Sequence, residues 1–521
     1  IKKLIFLYNK TNLHVNKMEE QTILLLSTYS KYIDVLNVSN CNIMGMLDLH
    51  DYRGLTELNC SNNEITELEI PETLEKLNCQ NNLIKKIYFT PKLKISNRNK
   101  RKEKYKFTSN LINNLPNTLE YLIFDQQSGF NQQIDNLPAS LKHLEFGSDS
   151  QFNQPVDNLP NGLTHLILGG AFSQPIDNLP NSLVKLNLGV EFNYPVNNLP
   201  SNLTHLILCH KFSQSVNNLP TQLKELTFGF NFNQEVKNLP NSIKYLKFGY
   251  CFNKLVNNLP NQLTHLIFEH SFNKPINKLP NSIIYLEFGY NFNQKVNHLP
   301  NSIKYLKFGY KFNQEVNKLQ PIACTKCNQG CTCCQQSSTT CSQSCASPQS
   351  GKLANEVCLA VMCPNQLTNL TFGYEFNQEV NNLPNSIIHL QFGDKFNQPV
   401  NCLPNSIKYI IFGTEFNQPV EFLPNSITHL IFGYCFNQPI DLLPNQLINL
   451  TFCFNSNFNQ PIKSLPNSLK HLIFGKYFNQ SISKLPNSIT HLTLGENFLQ
   501  PIHKLPANLT NLILKNPSLS I

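Results

Sequence analysis

Several residue types are scarce in this 521-residue chain. It contains no tryptophan, four methionines and three arginines (Arg53, Arg98 and Arg101). No run of about 18 apolar residues occurs, so we predict no membrane-spanning helix and no membrane partner. The opening IKKLIFLYNK has too short an apolar run for a signal peptide, and the first methionine is Met18. Residues 1–17 are therefore interpreted as upstream read-through or a disordered segment.

Cysteines are not paired in any regular way outside one segment. Eight of them stand singly along the chain: Cys41, Cys60, Cys79, Cys209, Cys251, Cys402, Cys435 and Cys453. This scatter is not typical of a disulfide framework and indicates a reducing, cytoplasmic location.

The positive charge is concentrated in one short stretch. The net charge is +9, and residues 92–106 hold eight basic residues and one acidic residue, which accounts for +7 of it. The remaining +2 leaves a nearly neutral body without the basic stripe that nucleic acid requires, so we predict no nucleic-acid partner. We interpret residues 92–106 as a solvated basic linker, with a nuclear-import or anion-binding patch as the alternative.

A phenylalanine recurs along most of the chain at a spacing of 20 residues. Seventeen such residues run from Phe130 to Phe498; fourteen are followed by asparagine, two by serine and one by leucine. A fixed short period is typical of a solenoid, in which each turn buries its apolar side only against its neighbours. We therefore predict a repeat β-solenoid of about 21 turns, with a parallel β-sheet on the concave face and irregular coil on the convex face.

One turn illustrates the pattern. Ile283, Leu286 and Phe288 have the L-x-x-L-x-L spacing of a leucine-rich repeat, and Phe292, Val296 and Leu299 are predicted to return inward along an irregular coil. Gly289 lies between the two groups, where a positive φ or a close backbone approach is expected. The asparagine after each phenylalanine offers both a donor and an acceptor, so this column is predicted to form a hydrogen-bonded ladder between turns.

Three looser turns precede the regular repeats. The strings IDVLNVSNCNI, LTELNCSNNEI and LEKLNCQNNLI carry Asn40, Asn63 and Asn82 near the ladder position. We assign residues 18–91 to an N-terminal cap region of leucine-rich repeats, 107–319 to regular repeats, 320–363 to an insert, and 364–521 to regular repeats of the same solenoid.

The repeated strings resemble those of the FNIP repeat family, which is known from social amoebae and giant viruses of amoebae. The strings are FNQPVDNLP (152–160), FNQPVEFLP (416–424) and FNQPIDLLP (436–444), and the resemblance covers roughly 107–319 and 364–514. It implies a leucine-rich-repeat-like scaffold, in the host cytoplasm if the chain is viral. Many viral members also carry an N-terminal F-box that recruits a ubiquitin ligase, and residues 18–36 show no such pattern. A ubiquitin-ligase adaptor is kept as the alternative function.

A column of outward strand positions is the candidate partner surface. Eight of the fourteen histidines and five tyrosines stand in this column, and isoleucines recur two positions later. Two interpretations remain: half-exposed strand residues stacked on one another, or a surface that binds an unidentified protein. The residues predicted to bind a partner are Tyr245, His265, Tyr285, Tyr305, His389, Tyr409, His429, Ile411 and Ile431. No singular cluster of catalytic residues occurs, so we predict no enzymatic activity and no cofactor.

The insert at 320–363 holds nine cysteines. Cys324, Cys327, Cys331 and Cys334 offer enough thiolates for a zinc ion, but only one C-x-x-C pair is clean. A metal or redox site, a disordered loop and an insertion artefact of the gene all remain open. Removing these 44 residues reduces the interval between Phe312 and Phe376 from 64 residues to 20, which is one repeat.

Overall fold

The structure is a computed structural model, and it describes residues 25–316 and 365–517. Residues 53, 72, 75, 91–114, 125, 127 and 503 are excepted from these ranges. The chain forms two compact units, residues 1–249 and 250–521. Within the described residues, no helix is long and apolar enough to cross a membrane.

The described residues contain 24 short β-strands. In the first unit they are β1 (Val35–Asn37), β2 (Met44–Asp48), β3 (Glu57–Asn59), β4 (Glu64–Pro71), β5 (Lys76–Asn78), β6 (Lys86–Thr90), β7 (Tyr121–Phe124), β8 (His143–Phe146), β9 (His165–Ile167), β10 (Lys185–Asn187), β11 (His205–Leu208), β12 (Glu225–Phe228) and β13 (Tyr245–Phe248). In the second unit they are β14 (His265–Phe268), β15 (Tyr285–Glu287), β16 (Tyr305–Lys307), β17 (Asn369–Thr371), β18 (His389–Gln391), β19 (Tyr409–Ile411), β20 (His429–Phe432), β21 (Asn449–Phe452), β22 (His471–Ile473), β23 (His491–Leu494) and β24 (Asn511–Leu514).

Within each unit, the described strand pairs are all parallel, and a strand pairs with the equivalent strand of the next turn. In the second unit, for example, β19 lies beside β20 with Tyr409 opposite His429 and Ile411 opposite Ile431. Residues one turn apart therefore stand in straight columns across the sheet. This arrangement confirms the predicted parallel β-solenoid.

The three N-terminal turns differ from the prediction, because each contributes two strands rather than one. The L-x-L-N strings form β1, β3 and β5, which pair only with each other in a separate small sheet. The main sheet of this unit begins instead with β2, β4 and β6, and β6 pairs with β7. The strings with the clearest leucine spacing therefore form the small separate sheet and not the main one.

The core of a regular turn is made of the six predicted side chains. Ile283, Leu286, Phe288, Phe292, Val296 and Leu299 are all at most 3% exposed. The rings of Phe288 and Phe292 stack at 3.8 Å within the turn. The ring of Phe292 also lies 6.0 Å from Phe272 and 6.1 Å from Phe312 in the adjacent turns. Each buried phenylalanine contributes about 1.5–3 kcal/mol by removing its ring from water.

The asparagine column forms the predicted ladder. Asn417 donates its backbone N–H to Oδ1 of Asn397 at 2.9 Å, and Asn397 does the same to Asn377 at 2.9 Å. The Gln418 side chain donates to the same Asn397 oxygen at 3.1 Å. One amide oxygen thus satisfies a backbone donor and a side-chain donor of the next turn.

Two details of the corners refine the prediction. A Cβ on Gly289 would lie 1.6 Å from the carbonyl oxygen of Glu269, so this glycine permits a close approach of two turns and does not adopt a positive φ. In the first turn Asn40 has a φ of 55°, as Asn62 does at 56° one turn later. Asn40 is therefore a turn residue, whereas Asn63 and Asn82 accept backbone N–H groups as predicted.

Residues 1–17, the basic linker 92–106 and the insert 320–363 lie outside the described residues. The turns on either side of the insert are nevertheless direct neighbours. Tyr305 of β16 lies opposite Asn369 of β17, and Asn377 donates its N–H to Asn313 Oδ1 at 3.0 Å. The repeats before and after the insert are therefore consecutive turns of one ladder.

Deletion of residues 320–363, which joins Leu319 to Pro364, should preserve folding because it restores a 20-residue turn. We expect the thermal unfolding midpoint, followed by circular dichroism, to shift by no more than about 2–4 °C. A loss of the cooperative transition would show that the insert is needed by the solenoid.

Asn397→Ala should destabilise the second unit by about 1–3 kcal/mol, because the N–H of Asn417 and the Gln418 amide lose their common acceptor. Chemical denaturation measures the change. The control is Asn401→Ala, an exposed asparagine of the same turn, which should stay within about 0.5 kcal/mol of wild type. Equal effects of the two substitutions would contradict the ladder.

Candidate interaction surface

The nine residues predicted to bind a partner all project from the outward side of the sheet. Strand β19 shows the alternation: Tyr409 is 38% exposed and Ile411 half-buried, whereas Ile410 between them is 1% exposed. The same alternation holds in the other strands of the set. Tyr245 lies in the first unit, and the other eight residues lie in the second.

Ring stacking divides the column of the second unit into groups. His389, Tyr409 and His429 form one continuous stack, with centroids 4.4 and 4.3 Å apart. His265, Tyr285 and Tyr305 form a second, looser group at 5.7 and 6.2 Å. The structure thus brings six of the predicted rings into two clusters. The stacked arrangement that we considered as the alternative interpretation is present, and the ring edges still face solvent.

Isoleucines lie directly beside the tighter cluster. Ile411 and Ile431 stand opposite each other on β19 and β20, and Ile431 is 36% exposed. With His389, Tyr409 and His429 they form a contiguous patch of apolar and aromatic side chains, which we call the central patch.

Threonines preceding several histidines orient their rings. Thr428 donates its hydroxyl hydrogen to the carbonyl of Lys408 at 3.2 Å and lies 2.9 Å from Nδ1 of His429. A hydroxyl has one hydrogen, so this threonine accepts from Nδ1–H, and the lone pair of a neutral His429 is left on Nε2. The ring is thereby held as an acceptor at the surface.

Crowding lowers the pKa of several histidines in the column. Burial lowers the pKa of His429, and the nearby His471 and His389 lower it further. Burial, His491 and Lys470 lower the pKa of His471 in the same way. These rings are therefore neutral near pH 7.

The metal ligands predicted from the sequence, Cys324, Cys327, Cys331 and Cys334, lie outside the described residues. A different cluster occurs among the described residues: Asp48, His50 and Glu69, with ligand atoms within 4.8 Å of one another. His50 Nδ1 is already 2.6 Å from Asp48 Oδ1. Burial by itself lowers the pKa of His50, but the hydrogen bond to Asp48 and the negative charge of the surrounding carboxylates raise it by more. The pKa of His50 is therefore above its ordinary value. His50 is thus protonated over a wider pH range than a free imidazole, and in that form it places a positive charge beside the two carboxylates.

A second aromatic column escaped the sequence analysis. Tyr250, His270, Tyr290, Tyr310 and Tyr374, at the corner after each strand, stack at 4.1, 4.8, 4.4 and 4.5 Å. The signal was present, because a tyrosine follows F-G in several repeats at the 20-residue spacing.

The repeats themselves decide the family. The sequence profile described as FNIP Repeat matches the chain fourteen times, between residues 107 and 320 and between 361 and 517. The chain belongs to the FNIP repeat family. A comparison with curated proteins found no match.

One solved structure is similar to this chain over most of its length. This FNIP repeat protein is 35% identical to CroV588, a giant-virus protein described as a novel circular LRR protein. The alignment covers 92% of this chain and 69% of CroV588, with a TM-score of 0.66. YopM from Yersinia enterocolitica is 18% identical over 88% of this chain and 77% of its own, with a TM-score of 0.35, a likeness too remote to carry weight.

The histidine column predicts a loss of stability in acid. Because the folded pKa of His471 lies below its ordinary value, the unfolded chain binds protons more readily, and stability falls as the pH drops from about 7 toward about 5. His471→Asn should reduce this pH dependence, since asparagine occupies the same column at 369, 449 and 511. Thermal unfolding midpoints at several pH values provide the measurement. An unchanged slope would contradict the coupling.

Proposed function

We propose that this FNIP repeat protein is a non-enzymatic scaffold that binds a protein partner on the outward face of its strands. The central patch carries the proposal. Its five side chains come from three consecutive strands held in register by backbone pairing. Such a surface is rigid before binding, so little conformational entropy is lost when a partner docks.

The chemistry of the patch suits protein recognition. Tyrosine is enriched in protein interfaces because its ring offers a large contact area and its hydroxyl a hydrogen bond. His389 and His429 add polar ring edges beside the apolar isoleucines. We place the scaffold in the cytoplasm, as the scattered single cysteines indicate.

Truncation of the central patch should abolish partner capture. We expect Tyr409→Ala combined with His429→Ala to weaken binding at least about tenfold, because Tyr409 is the central ring of the stack and His429 packs against it. The wild-type protein and the double variant would be used as bait in the native host cell, with bound proteins quantified by mass spectrometry. Affinity would then be measured with the purified partner.

A matched control lies on the coil side of the same two turns. Phe422 and Leu442 are 60% and 67% exposed, so Phe422→Ala with Leu442→Ala removes a comparable apolar area away from the strands. Binding should persist in this control. Equal affinity of the wild-type protein and the Tyr409/His429 variant would refute the proposed surface, and co-capture of ubiquitin-ligase subunits would favour an adaptor role.

A further inference from the structure

The strand face of β17 to β24 carries no carboxylate. Each turn presents three outward positions: the residue before the strand and the first and third residues of the strand. Across these eight turns none of these positions is aspartate or glutamate. The acidic residues of the described segment 365–517 lie elsewhere, at the corners and in the coil: Glu375, Glu379, Asp394, Glu415, Glu421, Asp441 and Glu496.

Other strands do not share this property. In the first unit, Glu145 pairs with His143 at 2.9 Å, and Glu225 pairs with His205 at 3.3 Å. At the start of the second unit, Glu287 is bound to Lys307 at 2.7 Å. The absence of outward carboxylates is therefore a local feature of β17 to β24. We call the outward side of these eight strands the acid-free face.

Two lysines occur on the acid-free face, three turns apart. From β17 to β22 the residue before each strand repeats the order threonine, isoleucine, lysine, and β23 and β24 are both preceded by threonine: Thr368, Ile388, Lys408, Thr428, Ile448, Lys470, Thr490 and Thr510. The threonine after each lysine donates to that lysine's backbone carbonyl at 3.2 Å, as in Thr428 to Lys408 and Thr490 to Lys470. Lys408 and Lys470 are exposed, and neither forms an ion pair within the described residues.

The interval between the two lysines selects the conformation of a ligand. Three turns at about 4.8 Å place Lys408 and Lys470 about 14 Å apart along the ladder. In an extended peptide, residues four apart share one face and lie about 13–14 Å apart. In an α-helix, one face recurs after seven or eleven residues, at about 10.5 or 16.5 Å, which does not match.

We propose that the acid-free face binds an extended acidic segment of a protein partner, lying along the ladder with carboxylates at every fourth residue facing Lys408 and Lys470. This inference rests on the proposed function, since it names the partner's chemistry at the same surface. Apolar residues between the carboxylates would contact Ile411, Ile431 and the ring edges of the central patch.

Two histidines of this face, His429 and His471, give the interaction a pH dependence. The titratable and charged groups nearest to them are Tyr409, His389, His491, Lys408 and Lys470. A bound carboxylate favours the protonated ring, so binding takes up protons and tightens as the pH falls from about 7.5 to about 6. An uncharged apolar partner would show the opposite trend.

A designed peptide tests the proposal directly. The probe is a fluorescein-labelled peptide of four Asp-Ser-Leu-Ser blocks, and its partner peptide has asparagine in place of aspartate. By fluorescence anisotropy with the full chain, we expect the aspartate peptide to bind about tenfold more tightly than the asparagine peptide, and more tightly at pH 6 than at pH 7.5. Lys408→Glu with Lys470→Glu should remove this preference.

The control reverses the same amount of charge on the coil side of this unit. Lys463→Glu with Lys484→Glu changes two exposed lysines outside the acid-free face and should leave binding within about twofold of wild type. An equal loss in both charge variants, or no preference for the aspartate peptide, would overturn the proposal. A captured partner that depends on Tyr409 and His429 but not on Lys408 and Lys470 would overturn this inference while leaving the scaffold function intact. A partner insensitive to all four would refute the scaffold surface itself.

Discussion

Most of the regular turns of this solenoid are held by the hydrogen bond between an asparagine amide oxygen and the backbone N–H of the following turn. Oδ1 of Asn397 shows the requirement, because it accepts both Asn417 N–H and the Gln418 amide. The bond forms only if the chain returns to the same point after every turn. That return also places the Phe396 and Phe416 rings 6.0 Å apart and sets the strand register. The uniform spacing of the rest of the structure follows from this constraint.

The same register produces the candidate surface. The neighbours of an outward side chain are fixed by the strand register, because each residue stands opposite the equivalent residue of the next turn. A tyrosine at 409 therefore meets histidines at 389 and 429, and an isoleucine at 411 meets one at 431. Outward side chains of similar chemistry therefore form columns along the sheet. A substitution at one outward position alters the surface at that turn and leaves the buried core unchanged. Binding specificity can vary along such a ladder without a separate active site.

Much of the fold was predictable, for a physical reason. The six inward positions of the Ile283 turn and the asparagine ladder could be predicted because the same spacing recurs in many repeats. A spacing that recurs so often is not a coincidence of one segment. The N-terminal turns were predicted less well, since three irregular repeats do not reveal which of two strands joins the main sheet. The leucine spacing favoured β1, β3 and β5 as strands of the main sheet. In the structure it is β6 that pairs with β7, and β5 pairs with β3 in the small sheet. The corner column of Tyr290 and Tyr310 was missed because an exposed position shows no apolar alternation.

The amino-acid sequence by itself determined the repeat length, the buried columns, the parallel sheet and the family, because all of these depend on local spacing repeated at a fixed period. It also determined that eight histidines share one column. Only the tertiary structure decided which rings stack closely, which histidines have a lowered pKa, and that Lys408 and Lys470 lie on a face without carboxylates. These properties depend on distances between turns and on which side chains share solvent, and such distances exist only after the chain has closed its turns on one another.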